Sequence, residues 1–193
     1  MTSRLMQFIY MVSAVLLLVA CKADSEYSRS YPCHFIFFTQ HHSESVLNGI
    51  LDNPGVFAKV SVQKKSGVNH VIVEPNTGGK SEDISLAGSA IENTQLVYAM
   101  GANNALLIGC DTNMKPVAFD GQCANCLETY STSSFPLTWS DKGRKVACAK
   151  CGRVYDLNAS GICVEGEKGR ALYQYRAYMG TGYDGTPTIN VAN

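Results

Sequence analysis

Two short cysteine pairs constrain this chain more than any other feature of its sequence. Cys123-Ala124-Asn125-Cys126 and Cys148-Ala149-Lys150-Cys151 share the spacing C-x2-C, and residues 127–147 lie between them. Two residues between thiolates let a tight turn aim both sulfurs at one ion while backbone N–H groups donate to them. Two such turns complete a tetrahedral all-thiolate site. Random placement of eight cysteines would rarely give two matched pairs, so these four are read as ligands of a metal ion or iron–sulfur centre. Two other uses stay open. Cross-paired disulfides are compatible with an exported protein, although a bridge inside one C-x2-C is strained. A redox-active dithiol of thioredoxin type needs a single C-x2-C at a helix start, and both pairs here are flanked by strand-like residues.

Export is written at the N-terminus. Residues 1–20 carry Arg4 and then two uncharged apolar runs, Phe8 to Val12 and Ala14 to Ala20, the pattern of a secretion signal. The stretch is short for a spanning helix. Leu18-Val19-Ala20-Cys21 resembles the lipobox of bacterial lipoprotein signals. That resemblance implies that Cys21 becomes the mature N-terminus and carries acyl chains, each buried methylene contributing about 0.8 kcal/mol to membrane anchoring. A plain signal peptide with a chance cysteine is the alternative. Residues 22–30 are polar and read as a tether between lipid and fold. The expected location is the cell envelope, with the membrane as partner through the lipid.

Charge narrows the partners further. The chain has 16 basic and 16 acidic residues, and removing residues 1–20 removes only Arg4. With no basic block there is no footprint for DNA or RNA. No G-x-S-x-G, H-E-x-x-H or phosphate loop appears. An enzyme is not expected, though an electron carrier remains open.

The rest of the chain reads as short strands. Alternation marks 57–62 and 70–74, and β-prone runs follow at 96–98, 105–109, 116–119, 137–139, 145–147, 153–155, 161–164, 171–178 and 186–191, with Gly- and Asn-rich turns between them. His34 to Phe38 is an apolar patch. One short helix is expected over 43–52, where Val46, Leu47, Ile50 and Leu51 have helical spacing ahead of Asn53-Pro54-Gly55. The fold class is all-β with one short helix, an antiparallel sandwich or small barrel. Of the remaining thiols, Cys110 and Cys163 lie in apolar runs and read as small buried hydrophobes, while Cys33 is unassigned. His34, His41 and His42 read as surface residues, since adjacent side chains on a strand or helix point apart.

Residues 104–193 resemble a Rieske-type ferredoxin domain. Cys148-Ala149-Lys150-Cys151-Gly152-Arg153-Val154-Tyr155-Asp156 is similar to the family's C-x2-H-G-x-x-[FY]-D, with Cys151 where the histidine stands. Pro116 to Asp120 precedes the first pair, and Asn158 to Gly161, Gly166 and Leu172 to Tyr175 are similar to the family's turn and return strand. Cys123 fits the cysteine of the family's C-x-H, but Cys126 lies one position beyond the histidine. The same pattern is similar to exported Rieske-like lipoproteins. The resemblance implies two knuckle loops holding a [2Fe–2S] cluster, with residues 31–103 a β-rich region packed on the same fold. All four histidines (His34, His41, His42, His70) lie upstream of both knuckles. The pair of imidazoles that raises a Rieske potential is therefore missing. Four thiolates suit zinc or mononuclear iron as well as [2Fe–2S].

Overall fold

The structure is a computed structural model that describes residues 27–130, 132 and 134–193. It consists mostly of antiparallel strands, in keeping with the expected all-β class. The strands are β1 (Cys33–Phe38), β2 (Phe57–Lys65), β3 (Val68–Pro75), β4 (Glu82–Ser85), β5 (Ala99–Met100), β6 (Leu106–Cys110) and β7 (Pro116–Asp120). After a short helix α1 (Ala124–Thr129) come β8 (Leu137–Ser140), β9 (Lys145–Cys148), β10 (Val154–Asp156), β11 (Ile162–Glu165), β12 (Gln174–Thr181) and β13 (Pro187–Ala192).

Nine strands form one open sheet in the order β4-β3-β2-β6-β7-β12-β13-β1-β5, and the other four form a second sheet, β11-β10-β9-β8. Strands from before and after residue 103 thus share the large sheet. Its centre explains the continuous apolar runs. Both faces of β6 are buried: Leu106 and Ile108 enter one core, and Leu107 enters another. Alternation does the same in β7, where Ala118 faces the first core and Val117 and Phe119 the second.

The first core is enclosed by the large sheet itself. Val60, Val71 and Val73 from one end meet Phe35, Phe37, Ile189 and Val191 from the other, so the sheet curls over on its own face. The second core lies between the large sheet and the small one. There Phe57, Leu107 and Phe119 pack with Leu137, Val146, Tyr155 and Leu157, all fully buried. A polar clasp fixes the docking of the two sheets. Asn76 donates to the carbonyls of Gly55 and Gly143 (both 3.0 Å) and accepts from Phe57 N (2.9 Å). Gly143 has φ +85°, and a Cβ there would lie 2.0 Å from the Asn76 carbonyl oxygen. No other residue fits that approach.

Three local expectations differ from the structure. Residues 43–52 form turns and a single 3-10 turn at Ile50–Asp52, because Gly49 takes a left-handed φ of 81° that ends any helical run. Leu47, Ile50 and Leu51 are buried all the same. The α-helix lies instead at Ala124–Thr129, directly after Cys123, where the flanks read as strand. The strand expected at 96–98 forms at Ala99–Met100, while β4 has no counterpart in the sequence reading.

Candidate metal centre

Each knuckle is built by a different piece of secondary structure. The first follows β7 through a buried carboxylate. Asp120 accepts from Gln122 N (2.9 Å), Ala102 N (2.7 Å) and the Tyr175 hydroxyl (2.8 Å). Burial raises its pKa, and the three donors pull against that rise. Gln122 in turn accepts from Phe135 N (2.7 Å), and Cys123 N donates to Phe135 O (2.9 Å). The chain is thereby pinned on both sides where Cys123 begins α1. Leu127 N donates to Cys123 O, and one turn brings the Cys126 sulfur to the same side.

The second knuckle is the connection between β9 and β10. Cys148 N donates to Arg153 O, and Gly152 N donates to Cys148 O (both 2.9 Å). Gly152 closes this turn at φ +70°. The backbone N–H groups of Cys151 and Lys150 lower the Cys148 thiol pKa against its burial, and the backbone and guanidinium of Arg153 do the same for Cys151. Such donors stabilise thiolate.

The two turns bring all four sulfurs within 4.8 Å of one another. Cys123 Sγ lies 3.7 Å from Cys151 Sγ, and Cys126 Sγ 3.8 Å from Cys148 Sγ. Sulfurs bound tetrahedrally at about 2.3 Å from an ion are about 3.8 Å apart, so this donor set fits a metal ion. A disulfide needs about 2.05 Å, and all seven described cysteines are free. Cys123, Cys126 and Cys148 are buried and Cys151 is half-buried. Burial pushes the Cys126 and Cys148 thiols up. Burial also raises Cys151, but the Arg153 donors outweigh it and bring that thiol down to about 7. Four cysteines packed this closely could hold a metal ion, whose charge would offset the cost of burying their thiolates.

Two residues of the site escaped the sequence reading as contacts. The Tyr155 hydroxyl lies 3.1 Å from Cys123 Sγ, and its oxygen accepts from Asn125 Nδ2 (2.9 Å). Asn125 also binds the backbone of Arg170 through both ends of its amide (3.0 Å each). Toward a Cys123 thiolate, which only accepts, the Tyr155 hydroxyl is the donor, and its ring is fully buried in the second core. Burial raises its pKa first and the neighbouring thiol adds to the rise, so the proton stays on the oxygen. The only advance signal was the aromatic position in Val154-Tyr155-Asp156. The flanking carboxylates do other work: Asp156 accepts from Asn158 N in a turn, and Glu128 pairs with Arg170.

The other cysteines lie apart from this set. Cys33 is buried on β1, where burial pushes its thiol up to about 12. Cys110 is buried at the end of β6. Cys163 packs against the second core but is only half-buried, with its sulfur against the carbonyls of Glu165 and Glu167, where full burial is expected. Cys21 falls outside the described residues. Among the described residues no helix is long and apolar enough to cross a membrane. No other described group of three or more His, Cys, Asp or Glu residues gathers its donor atoms as closely as the four cysteines do. No family model and no curated protein matches the chain.

Proposed function

We propose that this chain is an exported, lipid-anchored β protein whose four cysteines hold one tetrahedral metal ion, zinc in the first instance, as a structural centre. The sulfur spacing carries the reading. One ion needs all four sulfurs at the edge length of a single tetrahedron, and Cys123, Cys126, Cys148 and Cys151 lie within 4.8 Å of one another. A [2Fe–2S] cluster divides its four cysteines between two irons, so sulfurs on different irons are held further apart than sulfurs on one ion. Zinc suits a closed, mostly buried set with no open coordination position. The reading is of a Rieske-like region, resembling that family through 148–156, in which an ion held by thiolates replaces the cluster. The centre then clamps α1 to the β9–β10 turn and closes the end of the second core. The Cys21 lipid keeps the protein at a membrane.

The test is anaerobic purification of the mature protein followed by metal, sulfide and visible-absorption analysis. One zinc per chain without colour is the expected result. A single coloured iron keeps the one-ion geometry and replaces zinc as its occupant. Two irons with two acid-labile sulfides per chain overturn it and make the protein a ferredoxin-like carrier. Metal-free protein with its thiols oxidised overturns it as well. For the anchor, the mass of the processed N-terminus should carry acyl chains on Cys21, and Cys21→Ser should release the protein from membranes.

A further inference from the structure

Far from the cysteines in sequence, His41 and His42 end β1 in a 3-10 turn and converge on one carboxylate. Adjacent residues were expected to point apart, but the tight turn lets both rings reach Glu92. His41 Nδ1 lies 2.9 Å from one Glu92 oxygen and His42 Nε2 lies 3.1 Å from the other. The Glu92 side chain is 1% exposed. It sits in the turn Ile91–Gln95, whose backbone is further held by the Tyr98 hydroxyl donating to Glu92 O (3.0 Å). The second nitrogen of His41, Nε2, lies 3.0 Å from Asp184 Oδ2 at the tip of the β12–β13 hairpin. Donor atoms of this group do not gather around one point as those of the cysteines do, so it is not read as a metal site.

The hydrogen-bond arithmetic at His41 is restrictive. Both its ring nitrogens face carboxylate oxygens, and an ionised carboxylate only accepts. Glu92 and Asp184 are both held below the usual carboxylate range, Asp184 mainly by Thr186 and Glu92 by the two histidines against the opposing effect of burial. His41 can satisfy both only as the doubly protonated cation. Its ring lies flat on Phe38 (4.9 Å, 6°), a face that favours a cation. Neutral His41 has one N–H, and would turn a lone pair toward one of the two carboxylates. The Asp184 side is the one that gives way, because Glu92 is buried and Asp184 is on a hairpin tip.

That tip also forms a wall. Tyr183 lies edge-on to Phe38 (5.8 Å) and lines two adjoining clefts open to solvent, of about 690 and 530 Å³. His41, His42 and Glu92 line the first, while Ile36, Phe38 and Leu96 line the second. We propose that the His41 imidazolium is a proton-operated latch that holds the hairpin tip of Gly182 to Thr186 between these two clefts, and that loss of its proton frees the tip and joins them. Of the other charged groups facing His41 and His42, Glu82 and Asp83 are already engaged, and Glu44 is exposed to solvent. Across the smaller groove beside them lie Glu44, Glu82 and Asp83. Glu82 is held by Ser45 and Val46 N, and Asp83 by Lys65 and His70. The sign follows from the same geometry. The Glu92 hydrogen bond raises the His41 pKa, burial opposes it, and Asp184 adds to the rise. The latch is therefore closed below the ordinary histidine value of about 6.5 and opens as pH rises through the higher folded value.

The experiment is a nitrogen-15 NMR titration of the folded chain, reading the His41 ring nitrogens and the exchange protection of the Gly182 and Gly185 amides. In the native protein His41 should titrate above the ordinary histidine value, and hairpin protection should fall across the same pH interval. Asp184→Asn, a change at the exposed tip that leaves the core untouched, should move the His41 titration down and leave the hairpin weakly protected at every pH. His41 titrating at or below the ordinary value, or unmoved by Asp184→Asn, overturns the latch. So does hairpin protection that ignores the titration.

Discussion

Replacing Cys148 by serine tests the centre most directly. Cys148 is 2% exposed, and its sulfur lies 3.8 Å from Cys126 Sγ. Apparent binding of a structural zinc is about 10–16 kcal/mol in small peptides, and it adds to folding energy because the unfolded chain has no preformed site. If the four ligands share this about equally, the loss of one removes about 3–4 kcal/mol. A buried hydroxyl too short to reach the ion adds the cost of an unsatisfied polar group, about 1–3 kcal/mol. The sum, about 4–7 kcal/mol, rivals the whole stability of many domains. At about 2–4 °C per kcal/mol for a chain of this size, the melting temperature should drop by about 8–28 °C. The assay is thermal denaturation followed by circular dichroism, with metal content measured on the same sample. Cys110→Ala serves as the control, being equally buried but outside the centre, and should keep the full metal content. A Cys148→Ser protein that melts within about 2 °C of the native one and still carries one ion per chain would refute the reasoning.

Four further outcomes are expected. Tyr155→Phe removes the hydroxyl donated to Cys123 Sγ and should weaken metal retention about 10- to 100-fold, measured by competition with a chelator. Gly143→Ala forces a Cβ against the Asn76 carbonyl at a left-handed φ, and should cost more than about 2 kcal/mol in urea denaturation, with the small sheet losing protection first. Glu92→Gln leaves His41 and His42 facing a neutral buried amide and should cost about 3 kcal/mol at pH 7. Because the histidines hold the Glu92 carboxyl below its usual range against burial, that native advantage should vanish as pH falls below about 4.3 through the folded value, and weaken again as His41 loses its proton at high pH. Phe119→Ala, at the contact between the two sheets, should cost about 3–5 kcal/mol without releasing the ion.

Much of this architecture is written in local patterns. Alternation at 57–62 and 70–74 specifies strands because a sheet with one wet face sorts its side chains with period two. The C-x2-C spacing specifies the ligands because it is a property of a single turn, whatever the rest of the chain does. Where the sequence reading failed, distant residues decided. Residues 43–52 have helical spacing, yet a left-handed Gly49 and burial of Leu47, Ile50 and Leu51 against strands far along the chain shape them as turns. The α1 helix forms where a knuckle turn between strand-like flanks is expected, because Cys123 is pinned between Asp120 and Phe135 and its carbonyl starts the helical turn. Period and propensity do not encode that pinning.

By itself, the sequence determined the all-β class, the four cysteines and their separation into two knuckles, since each is set by neighbours within a few residues. Only the tertiary structure decided that the two knuckles face each other at the edge length of one tetrahedron. The same holds for the Tyr155 hydroxyl on a ligating sulfur and for the two adjacent histidines on Glu92, 50 and 51 positions away. The physical reason is common to all three. Hydrogen bonds and metal bonds act over a few ångströms in space, and it is the curl and docking of the two sheets that bring such distant positions that close.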